Sequence, residues 1–275
     1  MELTWINKLR IAAVAALGFT VIGILCWPLV APSDPQLPVR ATSIGLTGTL
    51  LLLVLAFGVG FAGYFIAWPH GREIGILGVP FGLTIWAGRS GPMQALTQAY
   101  TEAAERTTLA HSLRIEPFYW LLLVAVGFAG VLVAQRLRPA AKSPAADDSP
   151  KKHEGENVYA NAAIALAVAI LVSLFFLGIF TQNLTMSRNV APQPDGGQIL
   201  FGVIAAFAVA AFIVKKFLGF SYLWPALATS FVLALAQFVY YRAAAIQRFA
   251  ETYPATFFPH SIFAILPVQL VALAT

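Results

Sequence analysis

Eight apolar segments, at residues 11–31, 44–68, 74–87, 117–134, 158–180, 199–214, 217–241 and 257–274, fall four and four on either side of a charged, proline-bearing linker at 135–157. A helix needs about 20 apolar residues to cross a hydrocarbon core of about 30 Å, so runs of this length and number predict an all-α fold, a polytopic integral membrane helix bundle. Composition points the same way. Hydrophobic residues make up 59% of the chain and charged residues 11%, against roughly 45–50% and about 25% in ordinary soluble domains, so the bilayer is the expected solvent.

The division gives three parts: a first membrane half over 1–134, a disordered cytoplasmic linker over 135–157, and a second membrane half over 158–275. The linker alternates Arg136, Arg138, Lys142, Lys151 and Lys152 with Asp147, Asp148, Glu154 and Glu156 among Pro139, Pro144 and Pro150. Such a stretch has too little apolar surface to bury a core. All six tryptophans, Trp5, Trp27, Trp68, Trp86, Trp120 and Trp224, lie at or near segment ends, where an amphipathic indole anchors at the membrane interface.

Segment 74–87 is the weak joint. It is short, and Pro69, Gly71, Gly75, Gly78, Pro80 and Gly82 argue against one straight helix, because proline removes a backbone donor and glycine is a poor helix former. With all eight segments crossing, both termini are cytoplasmic. Lys8, Arg10, Arg72, Arg136, Arg138, Lys142, Lys151, Lys152, Lys215 and Lys216 are then inside, ten of the 17 Lys and Arg. That distribution follows the positive-inside rule and fits the plasma (inner) membrane. The alternative is six spans with 74–87 and 257–274 re-entrant, which leaves eight basic residues inside and nine outside. Lys8 and Arg10 before an apolar run resemble a secretory signal, but the run of 21 residues is longer than the usual ~7–15 and reads as an uncleaved first span.

The halves share wording, which makes a 4+4 internal repeat one reading. Ala31-Pro32-Ser33-Asp34-Pro35 follows the first segment, and Ala191-Pro192-Gln193-Pro194-Asp195 follows the fifth. Each half then has a basic turn, at His70-Gly71-Arg72 and at Lys215-Lys216, and a long loop before its fourth segment. Four-span halves would make a parallel repeat, three-span halves an inverted one. Against it, any eight-helix protein with short turns looks periodic.

No Asp, Glu, Lys or Arg lies in the middle of a segment, which weighs against proton relays and ion pathways. The histidines are outside the spans or, for His260, at an edge, which weighs against a haem held between helices. Lone Cys26 has no partner for a disulfide. Gly58-Val59-Gly60-Phe61-Ala62-Gly63 matches a dinucleotide-binding glycine pattern, but it lies inside an apolar run without the strand and phosphate-facing helix that pattern requires. Close helix packing explains Gly58, Gly60, Gly63, Gly78 and Gly82, and Gln237 is expected to bond across helices.

The loop 88–116 reads as an amphipathic helix near 91–113 lying on the outer surface. In the eight-span arrangement it shares that face with 242–259, so Arg89, Glu105, His111, Arg114 and Glu116 come within reach of Arg242, Arg248, Glu251 and His260. His111, Glu105, His260 and Glu251 are the candidates for acid–base work, and Arg89, Arg114, Arg242 and Arg248 for an anionic ligand or lipid head group. A solvated polar face is the simpler explanation. The spacing fits no metal motif, and no cofactor is implied.

Three function classes follow. The leading one is a non-catalytic accessory or scaffold subunit of a membrane assembly, favoured by charge-free spans. The others are a carrier or channel for a neutral or lipophilic solute, and an interfacial enzyme using the His/Glu/Arg group. Partners are the lipid bilayer, other membrane subunits or further copies of the chain. The net charge of +5 is explained by topology and lipid, and no nucleic-acid-binding pattern is present.

Overall fold

The computed structural model describes residues 4–100, 102–139, 158–182, 194–218, 231, 234–242, 244 and 265–275. The described residues are mostly helical and contain no strand. The helices are α1 (Trp5–Gly18), continued by a π-helical stretch at Phe19–Leu25; α2 (Trp27–Val30); α3 (Leu46–Ile66); α4 (Gly71–Gly75); α5 (Gly78–Arg89); α6 (Met93–Ala99); α7 (Ala103–Leu137); α8 (Val158–Phe180); α9 (Gly196–Leu218); and α10 (Pro267–Ala274). Five are long and apolar enough to cross a membrane, over Trp5–Leu25, Leu46–Ile66, Ala104–Leu137, Ala160–Phe180 and Gly196–Phe217. Segment 217–241 lies mostly outside the described residues, as do most of the linker and residues 257–264.

Helices α3 and α7 form the centre of the first half and run parallel. Thr49 meets Tyr119, Gly60 meets Gly127, and Tyr64 reaches the Arg138 carbonyl. A Cβ at Gly60 would collide with the Gly127 carbonyl, and one at Gly130 with the Phe57 carbonyl. Small residues therefore let the two backbones touch, as in tightly packed membrane helices. Gly63 faces Gly75 in the same manner, whereas Gly58 is exposed with open space where a side chain would stand.

The weak segment resolves into two helices in series. Pro80 lacks the N–H that would bond the Ile76 carbonyl, which disfavours a continuous helix here; the chain turns at Ile76 and Leu77 and restarts with Pro80 in the first turn of α5, where no donor is needed. The pair α4–α5 runs beside α1 in the same direction. Ile74 packs with Val14, a Cβ at Gly82 would meet Ile22 and one at Gly23 would meet Ile85, and Arg89 lies over Trp27. Against α3 it runs in the opposite direction, from Gly71 and Gly75 at Tyr64 to Gly78 at Val59. Residues 71–89 thus traverse the length of the first half, about 27 Å if helical throughout, without turning back.

The expected surface helix near 91–113 is not one helix, and its larger part is not separate from the fourth span. The structure closes α6 at Ala99 and opens α7 at a capping box, in which Glu102 and Glu105 satisfy each other's backbone donors. From there α7 continues through Pro117 for 35 residues. That is about 52 Å, well beyond the ~30 Å hydrocarbon core. The nearly four turns before Pro117 therefore stand beyond the apolar part of the helix. Met93 and Leu96 of α6, with Leu109, Ala110 and Leu113 of α7, pack into the main core.

In the second half α8 and α9 form an antiparallel hairpin, closed where the Gln198 amide donates to the Phe180 and Gln182 carbonyls. Helix α10 joins the halves. Val268, Val271 and Ala272 enter the core of the first half, and Leu270 and Ala274 enter the α8–α9 core. Its eight residues measure about 12 Å, too short to cross alone. The Gln237 amide donates to the Ile265 carbonyl, and the Gln269 amide to the Ala87 carbonyl in the last turn of α5.

The two ends of the bundle differ in charge. At the end holding the start of α1 and the C-terminal ends of α3, α7 and α9, the described residues include Lys8, Arg10, Arg72, Arg136, Arg138, Lys215 and Lys216 against one carboxylate, Glu73. The other end balances Arg40, Arg89, Arg106, Arg114 and Arg242 with Asp34, Glu102, Glu105, Glu116 and Asp195.

Candidate functional site

The polar chemistry inside the first half gathers at the charge-balanced end, where the loop before α3 meets α7. Arg40 closes that loop and Glu116 immediately precedes the apolar part of α7. The Arg40 Nε donates to Glu116 Oε1 at 3.1 Å, with the arginine side chain 13% exposed and the carboxylate 2%. Arg40 also donates to the Ser112 hydroxyl and, at 3.5 Å, to the Tyr100 hydroxyl; Ser112 in turn donates to the Leu109 carbonyl at 2.6 Å. One residue earlier, the Val39 N–H donates to Ser90 Oγ at 2.9 Å. This is the only salt bridge among the described residues. Its carboxylate, removed from water, is matched by a guanidinium that also donates to Ser112 and Tyr100, contacts that offset part of the desolvation cost of a buried pair.

A second group surrounds the π-helical stretch. Its hydrogen bonds are offset by one residue, ending with the Cys26 N–H on the Val21 carbonyl. The Trp86 indole N–H donates to the Gly23 carbonyl at 3.2 Å, and Trp86 packs edge-on to Trp120. π-helical turns occur often at functional sites, but here the side chains around it are apolar and tightly packed.

The structure brings few of the residues singled out in the sequence together. Glu105 is exposed and belongs to the capping box of α7, where its carboxylate accepts the N–H of the N-cap residue Glu102. His111 is exposed on the same helix, six residues on, which is about 9 Å along the axis and 240° around it, so the two side chains diverge. Arg114 bonds the Phe238 carbonyl at 3.0 Å with its guanidinium 3.7 Å from the centre of the Phe238 ring, and so ties α7 to the second half. Arg89 lies 4.6 Å over the Trp27 ring. Arg242 is exposed. Arg248, Glu251 and His260 lie outside the described residues.

Among the described residues, no three His, Cys, Asp or Glu side chains converge as a metal site would require. Two shallow open hollows occur at the charge-balanced end, one lined by Trp27, Ala31, Pro32, Pro35 and Arg89, the other by Pro35, Gln36, Gly91, Pro92, Ala95 and Gln98. Sequence reasoning placed Glu116 in the outer group but missed Arg40 as its partner. A usable signal existed: each is the last charged residue before an apolar run, and parallel runs bring such positions to the same level. Compared with known proteins, the chain matches no family, no curated protein and no solved structure.

Proposed function

We propose that this chain is a non-catalytic accessory or scaffold subunit of an assembly in the plasma (inner) membrane, with the basic end of the bundle in the cytoplasm. One observation carries the reading: among the described residues, the charged side chains that enter the interior are engaged in structural contacts. Arg40 and Glu116 hold each other, Arg114 holds Phe238, and the exposed Glu105 completes the capping box of α7. Among the described residues, the other buried polar side chains are Ser173, Thr181, Gln237 and Gln269.

The orientation rests on the charge difference between the two ends, since Lys and Arg accumulate on the cytoplasmic side. In this reading the first half crosses four times, through α1, α3, the α4–α5 pair and α7, and α8 and α9 continue the alternation. Segments 217–241 and 257–274 complete the eight-segment arrangement with its two matched halves, although the fourth elements, α7 and α10, differ widely in length.

Purification in mild detergent followed by native mass spectrometry tests the function. A subunit is expected at fixed stoichiometry with a second membrane protein or with copies of itself. A monodisperse monomer that moves a neutral solute across proteoliposome walls would replace this reading with a carrier. That second reading is favoured by the discontinuous α4–α5 element and the short α10 within the interior, because interrupted helices line the binding sites of many transporters.

A further inference from the structure

We propose that the corner formed by Arg89 and Trp27 binds the phosphate of an anionic phospholipid head group at the charge-balanced face of the membrane. This rests on the membrane reading above and adds a ligand to it.

Arg89 ends α5, its side chain is exposed, and it borders an open hollow walled by Trp27, Ala31, Pro32 and Pro35. Its guanidinium stacks 4.6 Å over the Trp27 ring and makes no hydrogen bond or ion pair among the described residues. Other arginines at this end direct their donors inward: Arg40 to Glu116, Arg106 to the Tyr100 carbonyl and Arg114 to the Phe238 carbonyl. Arg89 therefore presents a planar fork of N–H donors, held in orientation by an indole, to whatever occupies the hollow. That geometry suits a phosphate oxygen pair. Asp34 does not line the hollow, and its carboxylate accepts the Gln36 N–H.

The position selects a lipid as the source of the phosphate. Trp27 directly follows the first spanning helix, at the level where indoles mark the interface. Just before it, Ile24 and Leu25 are 56% and 67% exposed, an apolar track on which an acyl chain can lie below a head group held at Arg89. At the opposite end Arg138 stacks over Trp68 at 4.2 Å, so the same arginine–indole pairing recurs at the other boundary.

The test uses the full chain reconstituted into vesicles of phosphatidylglycerol mixed with phosphatidylcholine, and into phosphatidylcholine alone, with bound lipid counted by native mass spectrometry after extraction. The wild type is expected to retain phosphatidylglycerol selectively. Arg89→Ala and Arg89→Gln are expected to lower that selectivity about tenfold, the scale of one lost charge-assisted contact, while Arg72→Ala at the basic end leaves it unchanged. Using two Arg89 variants, each checked for an unchanged melting temperature, separates lost binding from lost folding. Selectivity retained in both Arg89 variants overturns the proposal. So does displacement of the lipid by inorganic phosphate at equal concentration, which identifies a free-anion site. A chain that enters neither vesicle overturns the membrane reading itself.

Discussion

Gly60 on α3 and Gly127 on α7 lie backbone against backbone, so that a single methyl group at Gly60 would occupy the place of the Gly127 carbonyl. Two residues away, Gly58 faces open space. On a helix these positions are about 200° apart, so one faces the partner helix and the other faces out.

Gly60→Val is therefore expected to destabilise the bundle by about 1–3 kcal/mol or to prevent its folding, because neither backbone can retreat without disturbing the core. Gly58→Val is expected to stay within about 0.5 kcal/mol of the wild type. Thermal unfolding of both variants in the same detergent measures the difference. Equal losses would mean that α3 presents another face to α7.

The glycine cluster also marks how far the sequence could be read. An apolar run of 20 residues between glycine and proline signals is legible as a helix, which is why the spans near α1, α3, α8 and α9 are evident from sequence. The phase of a nearly uniform apolar helix is not legible, so Gly58, Gly60 and Gly63 look alike until the partner helix is placed. The break in the third segment could be anticipated from Pro80, whose missing donor falls where α4 would have to continue. The continuity of α7 could not, because Pro117 and the polar stretch before it carry the marks of a helix boundary. In the structure Leu109, Ala110 and Leu113, which precede Pro117, pack into the core as part of the same helix. The Arg40–Glu116 pair joins residues 76 apart in sequence, and its recognition requires knowing that α3 and α7 are parallel.

Because Glu116 is 2% exposed, separating it from Arg40 should be costly. Arg40→Gln or Glu116→Gln alone is expected to lose about 3–5 kcal/mol, since the remaining group stays buried without its counter-charge or its full set of hydrogen bonds. The double variant Arg40→Met/Glu116→Leu is expected to lose less than the sum, because no charge is left to desolvate. A double-mutant cycle by chemical denaturation provides the measurement. Strictly additive losses would show that the pair is solvated in the folded protein.

Trp86→Phe is expected to lose about 1–3 kcal/mol. It removes the donor to the Gly23 carbonyl in the π-helical stretch and leaves space beside Trp120. Trp5→Phe, at a side chain 79% exposed, is expected to be neutral within about 0.5 kcal/mol. Unfolding followed by tryptophan fluorescence distinguishes them. A neutral Trp86→Phe would mean that the Gly23 carbonyl is satisfied without the indole.

The path of residues 71–89 makes the strongest prediction about topology. Gly71 is level with Tyr64 and Arg89 with Trp27, so Arg72 and Gly88 stand near opposite ends of the bundle. Cys26 is 1% exposed and can be replaced by alanine to give a background without thiols. Arg72→Cys and Gly88→Cys then introduce one reporter each at exposed sites, and Gly88 has open space for the new side chain. With a membrane-impermeant maleimide on intact cells, Gly88→Cys is expected to react, and Arg72→Cys only after the membrane is opened. The reverse pattern would invert the bundle while keeping the crossing. Reaction of both from the same side would mean that the apolar length of the first half is not aligned with the membrane normal, and that α4–α5 dips into the bilayer despite traversing the bundle.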